Sequence, residues 1–321
     1  ITCRDWSSDV CSSDLRSRRA AGGIRPEPAG WRLRRGAASR PQRAMKEDST
    51  DFQSRSRLAG GLETMAPAWA YSRPMQCECF PIYHVVKTPS TMEEARRLSA
   101  LSQRGAVYAD FQSAGRGRLS GRNWNSAPGA GLTVTLWLPM RDFAGTPPSL
   151  VAGLILRSVL LEWAHDAGTG FPRGIDIKWP NDLLCSSSKI SGILCEAAGD
   201  TVYVGMGVNC AQTSFEGQYR RSPSSIVLET GICPGREDLL ARLVRGFSGM
   251  DTLLPHWQAR MNDCLAWRGA TVGFSAGIGG SFVHGVLEGV DAAGSLVLLI
   301  EGRRESCSSG ELSLIDGARL A

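Results

Sequence analysis

Three observations predict an α+β fold with a small all-β domain appended to it. From Phe80 onward, short alternating apolar runs are interleaved with helical stretches. Three strand-like runs, 175–184, 189–197 and 201–209, then follow one another across short turns. After Trp267 the chain turns to short strands punctuated by Gly, about fifty residues with no helical periodicity. The close succession of the three central runs points to antiparallel neighbours, not to a regular βαβ alternation.

Taken in order, IYHVVK (82–87) reads as a strand. Ser90 and Thr91, followed by Glu93 and Glu94, form a capping-box start for a helix reaching about Gln103. AVYADF (106–111) and GLTVTLWL (131–138) are strands that anchor the two ends of the Arg- and Gly-rich stretch AGRGRLSGRNW, Ala114 to Trp124. Ser149 to Ala167 has the length and apolar content of a buried helix. The three central strands come next, and then a helical region from Arg236 to about Trp267 that Pro255 should break or kink. The strand-only tail has the length and spacing of a small barrel. The domain boundaries expected are 1–74, 75–267 and 268–321.

The chain has 321 residues, is 42% hydrophobic and has a net charge of +5. Fourteen Lys/Arg and eight Asp/Glu lie in residues 1–74, so that segment carries +6 and the remainder −1. The basicity therefore belongs to the first segment and says little about a nucleic-acid-binding body. Rich in Arg, Ser, Gly, Pro and Ala and without periodicity, residues 1–74 are expected to be disordered. Their opening, ITCRDWSSDVCSSDL, reads as translated adapter sequence ahead of a start at Met65 or Met75, and Asp5, Asp9 and Asp14 argue against a transit peptide. No apolar run reaches the roughly 18 residues of a membrane span, because Arg157 and Glu162 interrupt the best candidate, 150–163. Ten cysteines without a secretory leader read as reduced thiols of a cytoplasmic protein. Cys77 and Cys79 are the only close pair and make a weak metal signal.

Two motifs carry the chemistry. In AGRGRLSGRNW, glycines let backbone N–H groups approach a ligand, while arginine forks match carboxylate and phosphate oxygens. Alone, such a loop serves an anion site or RNA equally well. Then KWPND (178–182), with Lys189 seven residues after Asp182, sets a lysine, an amide and a carboxylate at a strand end where Pro180 fixes a turn. That set supplies a cation for an anionic substrate and a carboxylate for Mg²⁺ or an amine; a surface ion pair between Lys178 and Asp182 is the plainer alternative.

With PSTMEEARRL, DFQSAGRGRLSGRNW, KWPNDLL, SKISGILCE, VGMGVN, SSIVLETG and SSGELSLI in that order, the chain from His84 to Leu314 resembles the biotin protein ligases, also called biotin–[acetyl-CoA-carboxylase] ligases. The form it resembles lacks the N-terminal winged helix, since residues 1–74 offer no helix-turn-helix pattern. The resemblance implies a class II aminoacyl-tRNA synthetase-like catalytic domain followed by an SH3-like β-barrel. It also implies a two-step reaction. Biotin's carboxylate attacks the α-phosphate of ATP to give biotinyl-5′-AMP and pyrophosphate; a lysine amine of a biotin carboxyl carrier protein then attacks the acyl carbon and releases AMP. A carboxylate is already nucleophilic at neutral pH, so the obstacle is repulsion between anions, which suits a chain with four scattered histidines.

Residue by residue, the resemblance implies biotin contacts at Ser90, Thr91, Gln112, Gly115, Arg116, Gly117, Arg118, Trp124, Lys189, Gly192 and Leu194. It implies nucleotide contacts at Arg116, Arg118, Arg122, Asn181, Lys189 and Asn209. Arg118, Lys189 and Asp182 are the catalytic expectation, with Asp182 a candidate Mg²⁺ ligand. ATP, Mg²⁺ and biotin are the small molecules implied, with a carrier protein as partner, no DNA, no membrane, and a monomer or weak homodimer. Two departures stand out: Met92 sits where the family often has asparagine, and the Arg/Gly loop is one residue longer before Arg122. Two rival readings are a lipoate or octanoate ligase of the same superfamily and, more distantly, an RNA-binding or regulatory protein that uses the basic tail.

Overall fold

The computed structural model describes residues 72–76, 80–119, 121–215, 217, 219, 221–276 and 282–315. The expectations for residues 1–71 and for the Cys77/Cys79 pair lie outside the described residues.

The elements run β1 (Ser72–Gln76), β2 (Pro81–Thr88), α1 (Thr91–Leu98), β3 (Gly105–Gln112), β4 (Gly131–Pro139), α2 (Pro148–Asp166), β5 (Asp176–Lys178), β6 (Asp182–Cys185), β7 (Ser188–Ala198) and β8 (Thr201–Asn209). Then come α3 (Ile226–Thr230), α4 (Arg236–Ser248), α5 (Trp257–Asp263) and five further strands, β9 (Thr271–Ser275), β10 (Phe282–Val290), β11 (Leu296–Ile300), β12 (Arg303–Cys307) and β13 (Glu311–Leu314). The first eight strands form one mixed sheet in the order β1-β2-β3-β4-β8-β7-β6-β5. Only β2 and β3 pair in parallel, and α1 makes the crossover between them. The sheet begins at Ser72, inside the segment assigned above to the N-terminal tail.

Alternation along the strands sorts the two faces. Even-numbered Leu132, Val134, Leu136 and Leu138 of β4 and Val202, Val204, Met206 and Val208 of β8 enter the large core under α2 and α4. That core buries α2 on nearly every side, from Leu150 to Ala164, as an all-apolar helix requires. On the opposite face Trp137 and Tyr203 pack with Met92, Ala95 and Leu98 of α1. The rest of that face, where Thr133, Thr135, Gly205 and Gly207 alternate with the core residues, meets only the first turn of α1, through Thr91 and Met92, and forms the floor of a cavity.

Several elements differ from the sequence expectation. The helix α1 stops at Leu98, where the backbone N–H of Ser99 caps onto Ala95 and the Ser99 hydroxyl meets Tyr203 Oη at 2.8 Å. Its Ser90 cap accepts from Met92 N, while Glu94 accepts the Thr88 hydroxyl at 2.8 Å. The run 175–184 is two antiparallel strands, not one, joined by a tight turn in which Asn181 N donates to Lys178 O at 3.1 Å and the Trp179–Pro180 peptide is cis. The region 236–267 breaks first at Gly249, then passes through two short 3₁₀ turns, the second containing Pro255, into α5. The short helix α3, capped by Ser225 and ended by Gly231 at φ 77°, had no counterpart in the sequence reading.

The C-terminal strands form an open antiparallel sheet, β12-β11-β10-β9-β13, and not a closed barrel. Its apolar face is covered from outside: Val272, Phe274, Leu287, Val290, Leu296, Leu298 and Leu312 join the same core as α2 and α4. Closure on itself would bury residues that the core of the first sheet already buries. The edge strand β12 is exposed and charged at Arg303, Arg304 and Glu305, the usual protection of an unpaired edge.

Candidate active site

The floor of the cavity is two cross-strand rows. Opposed residues of an antiparallel pair share a face, so register alone sets their neighbours. One row runs Thr133–Gly207–Gly192–Asp182–Lys178 across β4, β8, β7, β6 and β5. The other runs Thr135–Gly205–Leu194. Glycine leaves room at the centre: a Cβ on Gly207 would lie 2.2 Å from the Trp124 indole and displace it, and one on Gly192 would crowd Lys189 Nζ at 3.0 Å. The flat floor therefore lets the indole settle on the sheet.

The Arg/Gly stretch makes the roof as a small hairpin. Gly117 N donates to Arg122 O at 2.7 Å, Trp124 N to Gly115 O at 2.9 Å, and Arg122 N to Leu119 O at 3.1 Å across the tip. The additional residue before Arg122 is absorbed in that tip, where Gly121 takes φ 79°. Arg118 donates to the Gly310 carbonyl at 2.8 Å, and Arg122 pairs with Glu311 at 2.7 Å. Arg116 faces Glu196 at 3.8 Å. The loop is thus tied to Glu311, the first residue of β13, and to Gly310 before it.

At the polar end, Thr91 N and Oγ1 donate to Gln112 Oε1 at 2.7 and 2.8 Å, and Thr135 Oγ1 donates to Thr91 Oγ1 at 2.9 Å. At the charged end, Lys189 Nζ stands 2.7 Å from Asp182 Oδ1, off the axis of a hydrogen bond, and 5.8 Å from the centre of the Trp124 ring. Asp182 thus faces Lys189, which displaces the plain Lys178–Asp182 surface pair. Lys178 packs against the Trp267 ring, and burial lowers its pKa to about 8 although Asp182 opposes the shift. The KWPND turn is held from both sides: Asn181 Nδ2 donates to Ile193 O at 2.9 Å, and Trp179 Nε1 to Gly294 O at 2.9 Å in the C-terminal sheet.

Of the residues expected from sequence, Ser90, Thr91, Gln112, Arg116, Gly117, Arg118, Arg122, Trp124, Asn181, Asp182, Lys189, Gly192 and Leu194 line this cavity. Gly115 is just outside the wall, closing the hairpin; a Cβ there would meet Trp124 O at 2.4 Å. Asn209 is away from the wall, and its amide donates to Ser224 O at 2.9 Å. Sequence reasoning missed Thr133, Thr135, Gly205 and Gly207, whose signal was the TxT and GxG alternation opposite a core face. It also missed Glu311 and Leu312, which reach the cavity from the appended sheet. Among the described residues no three metal-binding side chains cluster. Asp182 and Glu311 are the carboxylates on the wall, each already facing a cation, a donor set suited to sharing a Mg²⁺ that arrives on phosphates. No helix among the described residues is long and apolar enough to cross a membrane.

The polar end, KWPND, Lys189 and the glycine floor all lie in a segment that matches a known family. Residues 82–210 match the biotin/lipoate A/B protein ligase family. The chain is 32% identical to a biotin–[acetyl-CoA-carboxylase] ligase of Paracoccus denitrificans over 249 residues, 71% of this chain and 98% of the relative. A protein of the same description from Mycobacterium tuberculosis is 32% identical over 71% of this chain and 86% of its own. The bifunctional ligase/repressor BirA of Escherichia coli is 29% identical over 68% of each chain. Among solved structures, a biotin protein ligase from Aquifex aeolicus in complex with biotin and ATP superposes with a TM-score of 0.60 at 26% identity, covering 73% of this chain and 98% of that one. Matched along nearly the whole length of a ligase relative, and through the strands that build the cavity, this chain belongs to the biotin protein ligase family.

Proposed function

We propose that the enzyme joins biotin to a lysine of a carboxylase carrier protein, using ATP and passing through biotinyl-5′-AMP. The observation that carries the reading is the convergence on one cavity of Lys189, Asp182 and Arg118 with a polar end built from Thr91, Gln112 and Thr135. The neutral polar end suits the uncharged ureido head of biotin. The cationic end suits its carboxylate and the α-phosphate, whose mutual repulsion is the main barrier to the first step.

In that step a biotin carboxylate oxygen bonds to the α-phosphorus and the bond to pyrophosphate breaks. Arg118 and Lys189 hold the two anions together. Lys189 must then leave Asp182, and the freed carboxylate attracts the ammonium of the incoming acceptor lysine. That ammonium passes a proton to the Asp182 carboxylate, and the neutral amine then attacks the acyl carbon, forming the amide as the acyl–phosphate bond breaks and AMP departs. Trp124 covers the bound acid, while Arg116 and Arg122 face the nucleotide; Asn181 keeps the turn that aims Asp182. Asp182 would be the carboxylate to hold a Mg²⁺, which when bound would neutralise part of the phosphate charge.

The reading brings with it the kinship implied by the resemblance: a class II aminoacyl-tRNA synthetase-like sheet, and C-terminal strands of SH3-like type that here remain open. It also includes a monomer or weak homodimer in the cytoplasm that does not bind DNA. The test is ATP-dependent transfer of labelled biotin to a purified carrier domain with excess lipoate as competitor. Transfer unaffected by lipoate is expected. Transfer that lipoate suppresses, with lipoate attached instead, would replace this reading by the lipoate ligase one.

A further inference from the structure

We propose that Met92 is the stop that sets the size limit at the polar end of the cavity, making it a specificity-determining residue for the acid that is activated. The inference rests on the biotin reading above and adds to it the means of selection.

Met92 lies in the first turn of α1, directly after Thr91, and is 3% exposed while still lining the cavity. Ser90, Thr91, Gln112 and Thr135 make this end of the cavity polar. Met92, and Leu194 opposite Gly205 on β7, supply the apolar side chains beside them. The Met92 ε-methyl closes onto the strand β8 where Gly205 leaves room: a Cβ on Gly205 would lie 3.0 Å from Met92 Cε and 3.5 Å from Thr135 Oγ1. Since Thr135 Oγ1 donates to Thr91 Oγ1, the thioether ends beside the hydroxyls that would meet the ligand's head.

A thioether donates no hydrogen bond and is held here between helix and sheet, so it discriminates by occupied volume. Size discrimination in such a pocket is worth roughly 10- to 200-fold per methylene-sized group. Shortening Met92 to alanine removes the three outermost heavy atoms and leaves the neighbouring hydroxyls in place. The cavity then gains depth without losing its polar contacts.

The experiment is biotin-dependent exchange of labelled pyrophosphate into ATP, run with biotin and with biotin methylated on a ureido nitrogen. The wild type should discriminate strongly against the methylated acid. Met92→Ala should raise the ratio of kcat/KM for methylated over plain biotin by about tenfold or more, mainly through the KM of the analogue. Met92→Leu, which nearly conserves volume, should keep the wild-type ratio. Should Met92→Ala fail to fold, Met92→Val makes the same comparison with a smaller opening. An unchanged ratio in the folded smaller variant would overturn the proposal. Absence of biotin-dependent exchange in the wild type would instead overturn the biotin reading, so the two failures are told apart.

Discussion

The strands β4 and β8 carry two different proteins on their two faces. Even-numbered positions, Leu132, Val134, Leu136 and Leu138 with Val202, Val204, Met206 and Val208, are large, apolar and almost fully buried. Odd-numbered positions in the middle of the same strands are Thr133, Thr135, Gly205 and Gly207, small enough that the Trp124 indole rests on the backbone. One face is filled by the protein itself and stores stability. The other is left shallow for a ligand and stores almost none. Mutations should therefore separate, with activity lost from one face and stability from the other.

The largest separation is expected at the charged end. Lys189→Ala should lower biotin transfer by about 10²- to 10³-fold, the usual cost of deleting one electrostatic stabiliser of the reacting anions, with an unchanged thermal midpoint. Near-wild-type transfer would remove Lys189 from the mechanism. On the opposite face, Leu136→Ala should cost about 2–5 kcal/mol in a denaturant titration, because the site is fully buried in the large core, while the folded fraction keeps its KM for biotin. A change in KM without a loss of stability would erase the distinction between the faces.

Gly207→Ala probes the shallow face. Its Cβ would sit 2.2 Å from the indole, so Trp124 must shift, and the KM for biotin should rise roughly tenfold. A pH series tests Lys178. With its pKa lowered by burial to about 8, against an ordinary 10.5, it is cationic below pH 8 and loses its charge as pH rises through that value. The KM for ATP should accordingly climb between pH 7 and 9, and Lys178→Arg should flatten the climb. For folding the sign is opposite: between pH 8 and 10.5 the unfolded chain binds more protons, so this group's burial penalty is relieved as pH rises. The smallest effect belongs to Glu311→Gln. Arg122 is nearly half exposed, so losing that pair should change stability by less than about 1 kcal/mol. Loosening the loop should still release biotinyl-AMP a few-fold faster, readable by trapping with a carrier domain.

Much of the site was legible in the sequence because it is local. The hairpin from Gly115 to Trp124, the KWPND turn and Lys189 lie within runs whose residue types declare their chemistry. The strands β2, β3, β4 and β8 followed from their apolar runs. What was not legible depends on contacts distant in sequence. The barrel expected after Trp267 stays open because Val272, Phe274 and Leu298 find their apolar partners in the catalytic part. The contacts of Gly310 and Glu311 with Arg118 and Arg122 span some 190 residues, beyond any pattern of spacing. Asn209, a nucleotide contact by the resemblance, stands off the cavity wall with its amide donating to Ser224 O, a contact fifteen residues away in sequence. Propensity also missed α3, whose five residues are held by Ser225 and Gly231 at its ends more than by any periodicity.

The central claim, that the shallow face with its ring of cations activates biotin, is tested most directly by mass spectrometry of the folded enzyme incubated with biotin and Mg-ATP and no carrier. The wild type should retain biotinyl-5′-AMP, and Lys189→Ala, equally folded, should retain none. Equal amounts of adenylate in both, or none in the wild type, would contradict the account.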